Sequence, residues 1–274
     1  MSERGAMQGL AARLLNRPML LLPANAEALV AAMSTMTPYG DADAGQRKAY
    51  EVVPPGIAVI SVSGILVQKL GSCYSWGFVT GYDGIRKNII DAFEDDEVKA
   101  IVLDIDSCGG DAAGCFDLAD MIFGARGEKP IWAILNESGY SGAYAIASAC
   151  NRVTIPRTGG AGSIGVIVLL ADFSGALDQA GVKINVIQFG ARKADGQPFA
   201  PLTDQARTRF QADVDTVGEL FVETVARNRG LAASAVKDQQ AGCFMGQNAV
   251  SAGLADLVAA PDAAFAQLVA TIKT

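Results

Sequence analysis

Val98-Lys-Ala-Ile-Val-Leu-Asp-Ile-Asp-Ser-Cys-Gly-Gly-Asp-Ala-Ala-Gly-Cys-Phe-Asp-Leu-Ala-Asp-Met-Ile-Phe123 decides the fold. Val98 to Ile105 is aliphatic almost throughout, as expected of a strand buried on both faces. Gly109-Gly110 breaks it, and Ala112 to Phe123 reads as a helix. The same unit recurs on either side. Upstream come a strand at Ile57-Ala-Val-Ile-Ser-Val and a helix from Tyr82 to Phe93. Downstream come strand Ile131 to Leu135, helix Ser141 to Ala149, strands Arg152 to Ile155 and Ile164 to Leu170, helix Ser174 to Ala180 and strand Lys183 to Gln188. Such alternation predicts an α/β fold whose largely parallel sheet is covered on both faces. A long amphipathic helix from Thr203 to about Asn228 follows, with Phe210, Val214, Val217, Leu220, Phe221 and Val225 at helical spacing and Gly230 as its stop. Gly246 to Val258 closes the fold with a short helix and a last strand.

Ala24 to Met36 reads as a short helix and Pro38 to Ala49 as a polar linker, so residues 1–50 are expected to form an N-terminal extension. Residues 51–260 then hold the main domain and 261–274 a helical tail. The 274 residues carry 22 Lys and Arg against 29 Asp and Glu, a net charge of -7, and no histidine. The missing imidazole excludes Ser-His-Asp and Cys-His catalysis and His-ligated zinc. No metal or cofactor site is expected. The acidic balance, without a Lys/Arg cluster, argues against a nucleic-acid groove. Cys73, Cys108, Cys115, Cys150 and Cys243 form an odd set without a C-x-x-C pair, which fits thiols in a reducing compartment. Pro18-Met-Leu-Leu-Leu-Pro23 is too short to span a membrane. A cytoplasmic protein without membrane insertion is expected.

In parallel sheets ligands bind beyond the carboxyl ends of strands. Three such junctions carry reactive residue types. Asp104-Ile-Asp-Ser-Cys-Gly-Gly110 brings backbone N–H groups close to a bound atom, or is a plain tight turn. Asn136-Glu-Ser-Gly-Tyr-Ser-Gly-Ala-Tyr144 sets Ser141 at a helix start, where it is either a nucleophile or a capping residue. Gln188-Phe-Gly-Ala-Arg-Lys-Ala-Asp-Gly196 carries Lys193, either a general base or an exposed loop lysine. A lysine serves as base for serine only where burial strips its proton near neutral pH. A fourth stretch, Gly162-Ser-Ile-Gly-Val166, offers Ser163 to orient an ammonium, or is a simple turn.

In these four motifs, in this order, the chain resembles the signal peptide peptidase A (SppA) family of serine/lysine peptidases, of the ClpP/crotonase fold. Ser107-Cys-Gly-Gly110 is similar to that family's Ser/Thr-Pro-Gly-Gly, Tyr140-Ser-Gly-Ala-Tyr144 to its nucleophile motif, Gly162-Ser-Ile-Gly-Val166 to its Thr-Gly-Ser-Ile-Gly-Val, and Phe189-Gly-Ala-Arg-Lys193 to its base motif. The flanks Asn16 to Ala24, Gly56 to Gly64, Val79 to Gly84, Lys193 to Gly196 and Ala252 to Asp256 resemble its branch of phage head-maturation proteases.

The resemblance implies a spiral of β-β-α units, Ser141 as nucleophile, Lys193 as base, Gly110 and Gly142 N–H as oxyanion donors and Ser163 as the lysine's positioning residue. Substrate is expected to lie extended along Gly109, Gly162, Ile164 and Gly165. It also implies a homo-oligomer, and protein substrates inside an assembling procapsid: scaffold, the protease itself, and portal or capsid proteins. Two departures stand out. Cys108 replaces the family's proline, which loosens the turn, and the C-terminal scaffold segment of such proteases does not follow Thr274, suggesting a trimmed or separately encoded form. The alternatives are a crotonase-type acyl-CoA enzyme and a non-catalytic capsid-assembly protein.

Overall fold

The computed structural model describes residues 18–21, 50–71 and 79–272. The expected helix at Ala24 to Met36, the linker at Pro38 to Ala49 and Cys73 lie outside the described residues. Ten strands join in one sheet: β1 (Met19–Leu21), β2 (Glu51–Val53), β3 (Ile57–Val67), β4 (Val79–Gly81), β5 (Ala100–Asp111), β6 (Ile131–Tyr140), β7 (Arg152–Ile155), β8 (Gly160–Gly162), β9 (Cys243–Met245) and β10 (Leu257–Val258). The main order is β10-β7-β6-β5-β3-β2. From β10 to β3 every neighbouring pair is parallel, as the aliphatic strands and intervening helices predict.

The helices are α1 (Tyr82–Glu94), α2 (Cys115–Gly124), α3 (Gly142–Ser148), α4 (Ser174–Gln179), α5 (Asp204–Arg229), α6 (Ala233–Lys237), α7 (Gln247–Ser251) and α8 (Pro261–Ile272). On one face α1, α2 and α3 bury Ile85, Ile89, Leu118, Ile122 and Ile146 against Ile60, Ile101 and Leu103. On the other, α8 sets Ala264 and Leu268 on Ile57, Ala100 and Trp132. Each fully buried aliphatic side chain contributes about 1.5–3 kcal/mol relative to exposure.

The long strands change partners along their length, and this positions the site. β5 pairs with β6 through Ile105 and Leu135, its register shifts, and its last residues Gly109 to Asp111 pair antiparallel with β1. β6 pairs first with β7 through Trp132 to Ile134 and then with β8 through Ser138 to Tyr140. The glycine-rich ends of β5 and β6 therefore run past the main sheet side by side.

Two expected strands do not form. Ile164 to Leu170 has no ladder, only a single antiparallel bridge from Ile167 to Met19. Lys183 to Gln188 lies in no strand or bridge among the described residues and leaves Ile187 99% exposed. An apolar run becomes a strand only when a neighbour accepts its backbone hydrogen bonds. The amphipathic helix does form as α5, with Thr203 Oγ1 accepting from Ala206 N at 3.2 Å and Gly230 in the left-handed region. Its C-terminal half is the better packed: Phe221 and Val225 are buried, whereas Phe210, Val214 and Val217 are half-buried and Leu220 is exposed.

The end of α5 is clamped to the sheet through charge. Arg229 Nη2 donates to Asp256 Oδ1 at 2.7 Å, and Asp256 Oδ2 accepts from Val153 N, also at 2.7 Å. Burial pushes the Asp256 carboxyl upward, but Arg229 and the Val153 amide outweigh it and hold its pKa below the usual carboxylate value. A carboxyl depressed on folding adds stability above its unfolded pKa and loses it as pH falls through the folded value. Asp256→Ala is therefore expected to cost about 1–2 kcal/mol at neutral pH, after allowance for solvent screening. The difference from wild type should shrink below about pH 4, as urea unfolding across pH will measure.

Candidate active site

Ser141 is the residue between β6 and α3. Its backbone has φ 54° and ψ -121°, a region L-residues rarely occupy, and the turn is held by its N–H donating to Gly162 O at 2.8 Å. Although Ser141 stands at the N-cap position of α3, its side chain makes no capping bond to that helix. The side chain is buried, and among the described residues its hydroxyl has no hydrogen-bond partner. A strained backbone holding an unbonded buried hydroxyl at a strand-to-helix corner is how a nucleophile is presented, and is a poor design for a cap.

The glycines explain how the chain closes on this point. A Cβ on Gly109 would lie 2.8 Å from Gly142 N and 3.0 Å from Ser141 Cβ, and one on Gly142 would lie 3.5 Å from Gly110 N. Only residues without side chains let the two chain ends approach so closely. The expected pair of oxyanion amides, Gly110 and Gly142, is thus brought beside Ser141. The segment around Cys108 is part of β5 and is held by Ser107. Ser107 Oγ donates to Gly64 O at 2.6 Å and accepts from Gly109 N at 3.1 Å, pinning the segment that a proline would have stiffened.

Ser163 is also in the left-handed region, at φ 54°, and is buried directly after Gly162, the residue whose carbonyl holds Ser141 N. Ile164 is buried and Gly165 half-buried just beyond it. Motif reading passed over Tyr82 and Cys115. Tyr82 Oη donates to Asp111 O at 2.8 Å, and the Cys115 thiol donates to Gly142 O at 3.4 Å, so the two brace the glycine strands from behind. Burial pushes the Cys115 thiol up to about 12 and the Tyr82 hydroxyl well above its ordinary value, so both remain neutral donors at physiological pH. The sequence signal for them was weak: a lone Tyr and a lone Cys at the starts of two helices.

Lys193 is the exception. It is exposed on the loop after Phe189, its own N–H donating to Gly190 O at 3.1 Å. Since the Ser141 hydroxyl bonds no described residue, the expected Ser141–Lys193 pair is not assembled within this single chain. At its far end the loop is anchored where Arg209 of α5 pairs with Asp195 and Phe173 N donates to Pro198 O at 2.7 Å. A cavity of about 540 Å³ lies between Val168 to Asp172 and Gly196 to Leu202, and none of its lining residues belongs to the Ser141 corner.

Among the described residues, no three or more His, Cys, Asp or Glu side chains gather as metal ligands, and no helix is long and apolar enough to cross a membrane. Residues 125–273 match peptidase family S49. The chain is 45% identical over 222 residues to the head-tail preconnector protein GP5 of Enterobacteria phage P21, covering 80% of this chain and 44% of that protein. It is 38% identical over 234 residues to the capsid assembly protease C of Escherichia phage lambda, covering 85% and 53%. Identity to protease 4 of Haemophilus influenzae is 26% over 211 residues, covering 74% and 33%. The chain spans about half the length of the two phage relatives.

Proposed function

The chain belongs to peptidase family S49, and on that premise we propose that it is a serine endopeptidase of phage capsid assembly, with Ser141 as nucleophile and Lys193 as general base. The observation that carries this reading is the buried Ser141 hydroxyl, without a partner among the described residues, on a strained corner beside the Gly110 and Gly142 amides. The names of the two phage relatives support the setting. The substrates on this reading are the head scaffold and the protease itself, with portal or capsid proteins as further candidates, inside a procapsid in the host cytoplasm.

In the reaction neutral Lys193 Nζ takes the Ser141 proton as Oγ attacks the peptide carbon, and the oxyanion is received by the Gly110 and Gly142 N–H groups. The proton passes to the departing amine. Water, activated by the same lysine, then hydrolyses the acyl-enzyme and restores Ser141. Lys193 is exposed in the single chain, so on this reading the base must be shielded and carried to the serine.

Self-association supplies both. Residues 182–189 present Val182, Ile184, Val186, Ile187 and Phe189 to solvent beside Lys193, and the half-packed stripe of α5 adds Leu220. An exposed apolar run of this extent is a surface for a second copy of the chain. Activity is expected to rise with protein concentration as the oligomer forms, measured by cleavage rate alongside sedimentation velocity. Mixing the inactive variants Ser141→Ala and Lys193→Ala should restore cleavage where the two residues come from different protomers. A fully active monomer would remove the role assigned to assembly.

A further inference from the structure

The glycine-rich end of β5, beside Ser141, is covered by a strand from the start of the chain. β1 lies antiparallel on the end of β5, with Met19 opposite Asp111, Leu20 opposite Gly110 and Leu21 opposite Gly109. On its other edge Met19 donates its N–H to Ile167 O at 2.9 Å and accepts from Ile167 N at 3.0 Å. Backbone groups alternate in direction along a strand, so Leu20 turns its N–H and C=O toward Gly110. The Leu20 carbonyl oxygen lies 2.0 Å from the point a Gly109 Cβ would occupy, the same point that Gly142 N and Ser141 Cβ approach to 2.8 and 3.0 Å. Leu20 Cβ in turn lies 3.4 Å from the corresponding point on Gly142. The Leu20 carbonyl oxygen therefore lies close to both Ser141 Cβ and Gly142 N. The Leu20 side chain is fully buried, and Met19 and Leu21 are buried with Ile65, Val67, Val79 and Cys108.

We propose that Met19 to Leu21 is a tethered occupant of the substrate slot, presenting the Leu20–Leu21 bond to Ser141, and that the slot selects extended segments with an aliphatic residue on the amino side of the cleaved bond. The proposal rests on Ser141 and the glycine amides being the catalytic centre. Two backbone segments cannot occupy the same edges of β5 and Ile167, so a protein substrate enters only by displacing β1. A tether acts at an effective concentration on the order of millimolar, which keeps the slot closed to dilute peptides and open to substrates crowded beside it.

The test uses the full chain carrying Ser141→Ala, so that binding is read without cleavage. Fluorescently labelled Pro-Met-Leu-Leu-Leu-Pro is titrated by anisotropy, and hydrogen exchange is followed with the unlabelled peptide at about 10 mM, above the tether's expected effective concentration. Adding Leu20→Asp is expected to tighten peptide binding at least tenfold. A peptide with Asp at the position matching Leu20 should lose binding to both variants. In Ser141→Ala alone, the peptide should speed exchange of the Met19 to Leu21 amides while the Gly109 to Asp111 amides stay protected. The exchange measurement stands even if Leu20→Asp fails to fold. Unchanged exchange at Met19 to Leu21 would overturn the proposal and make β1 a fixed member of the sheet. Displacement of β1 in a protein whose wild type cleaves nothing would keep the slot and refute the peptidase reading.

Discussion

Ser141→Ala is expected to lower kcat by a factor on the order of 10⁶, as removal of a catalytic serine does elsewhere, while leaving the fold as stable as before or more so. The second half of this expectation separates the roles open to a serine at a helix start. A capping serine replaced by alanine costs about 1 kcal/mol, because an N–H of the first turn loses its acceptor. Here α3 receives no bond from the Ser141 side chain, and the hydroxyl has no partner among the described residues. Burying a hydroxyl without a partner costs about 1–3 kcal/mol, so its removal should raise Tm by a few degrees. Mass spectrometry of a scaffold protein incubated with each variant, beside thermal unfolding, reads both quantities. Full cleavage by Ser141→Ala would displace the nucleophile, and a fall in Tm without loss of cleavage would return Ser141 to a structural role.

The second large effect is expected at Gly110. An alanine Cβ there would sit 1.8 Å from Leu66 O and 2.6 Å from Leu66 C and N, all backbone atoms of β3. No rotamer relieves such a clash, so β5 must move away from β3 or the strand must twist. Gly110→Ala should cost about 3 kcal/mol or more of stability. In whatever fraction folds, the displaced amide should cost a further factor of about 10²–10³ in kcat. Gly124→Ala is the control: nothing lies within 4 Å of its Cβ position and its backbone is helical, so it should be neutral or slightly stabilising. Urea unfolding with cleavage rates normalised to folded protein distinguishes the two losses. A Gly110→Ala protein as stable and active as wild type would remove Gly110 from the oxyanion site.

Much of the candidate site is legible in the sequence itself. Gly109, Gly110, Ser141 and Gly142 stand out as small residues after aliphatic runs, and the structure brings all four to one corner, although the glycine pair expected to break its strand lies inside β5. Tyr82 and Cys115 were not legible, since what they brace is backbone contributed by residues distant in the chain. Ile164 to Leu170 and Lys183 to Gln188 carry strand composition, yet neither forms a ladder. Composition records that a segment can lie in a sheet, not that a neighbouring edge is free to receive it.

By itself, the sequence determined the α/β class, the alternation of strand and helix through Ala149, and the absence of any imidazole from the chemistry, because each of these depends on residue type and local period alone. Only the tertiary structure decided that the Ser141 hydroxyl has no partner among the described residues, that Lys193 is exposed, and that Met19 to Leu21 lies across Gly109 and Gly110. The physical reason is the same in each case. Hydrogen-bond partners and burial are set by backbone brought from elsewhere in the chain, nearly ninety residues away for β1 on β5, and no local pattern records which edge that backbone will find.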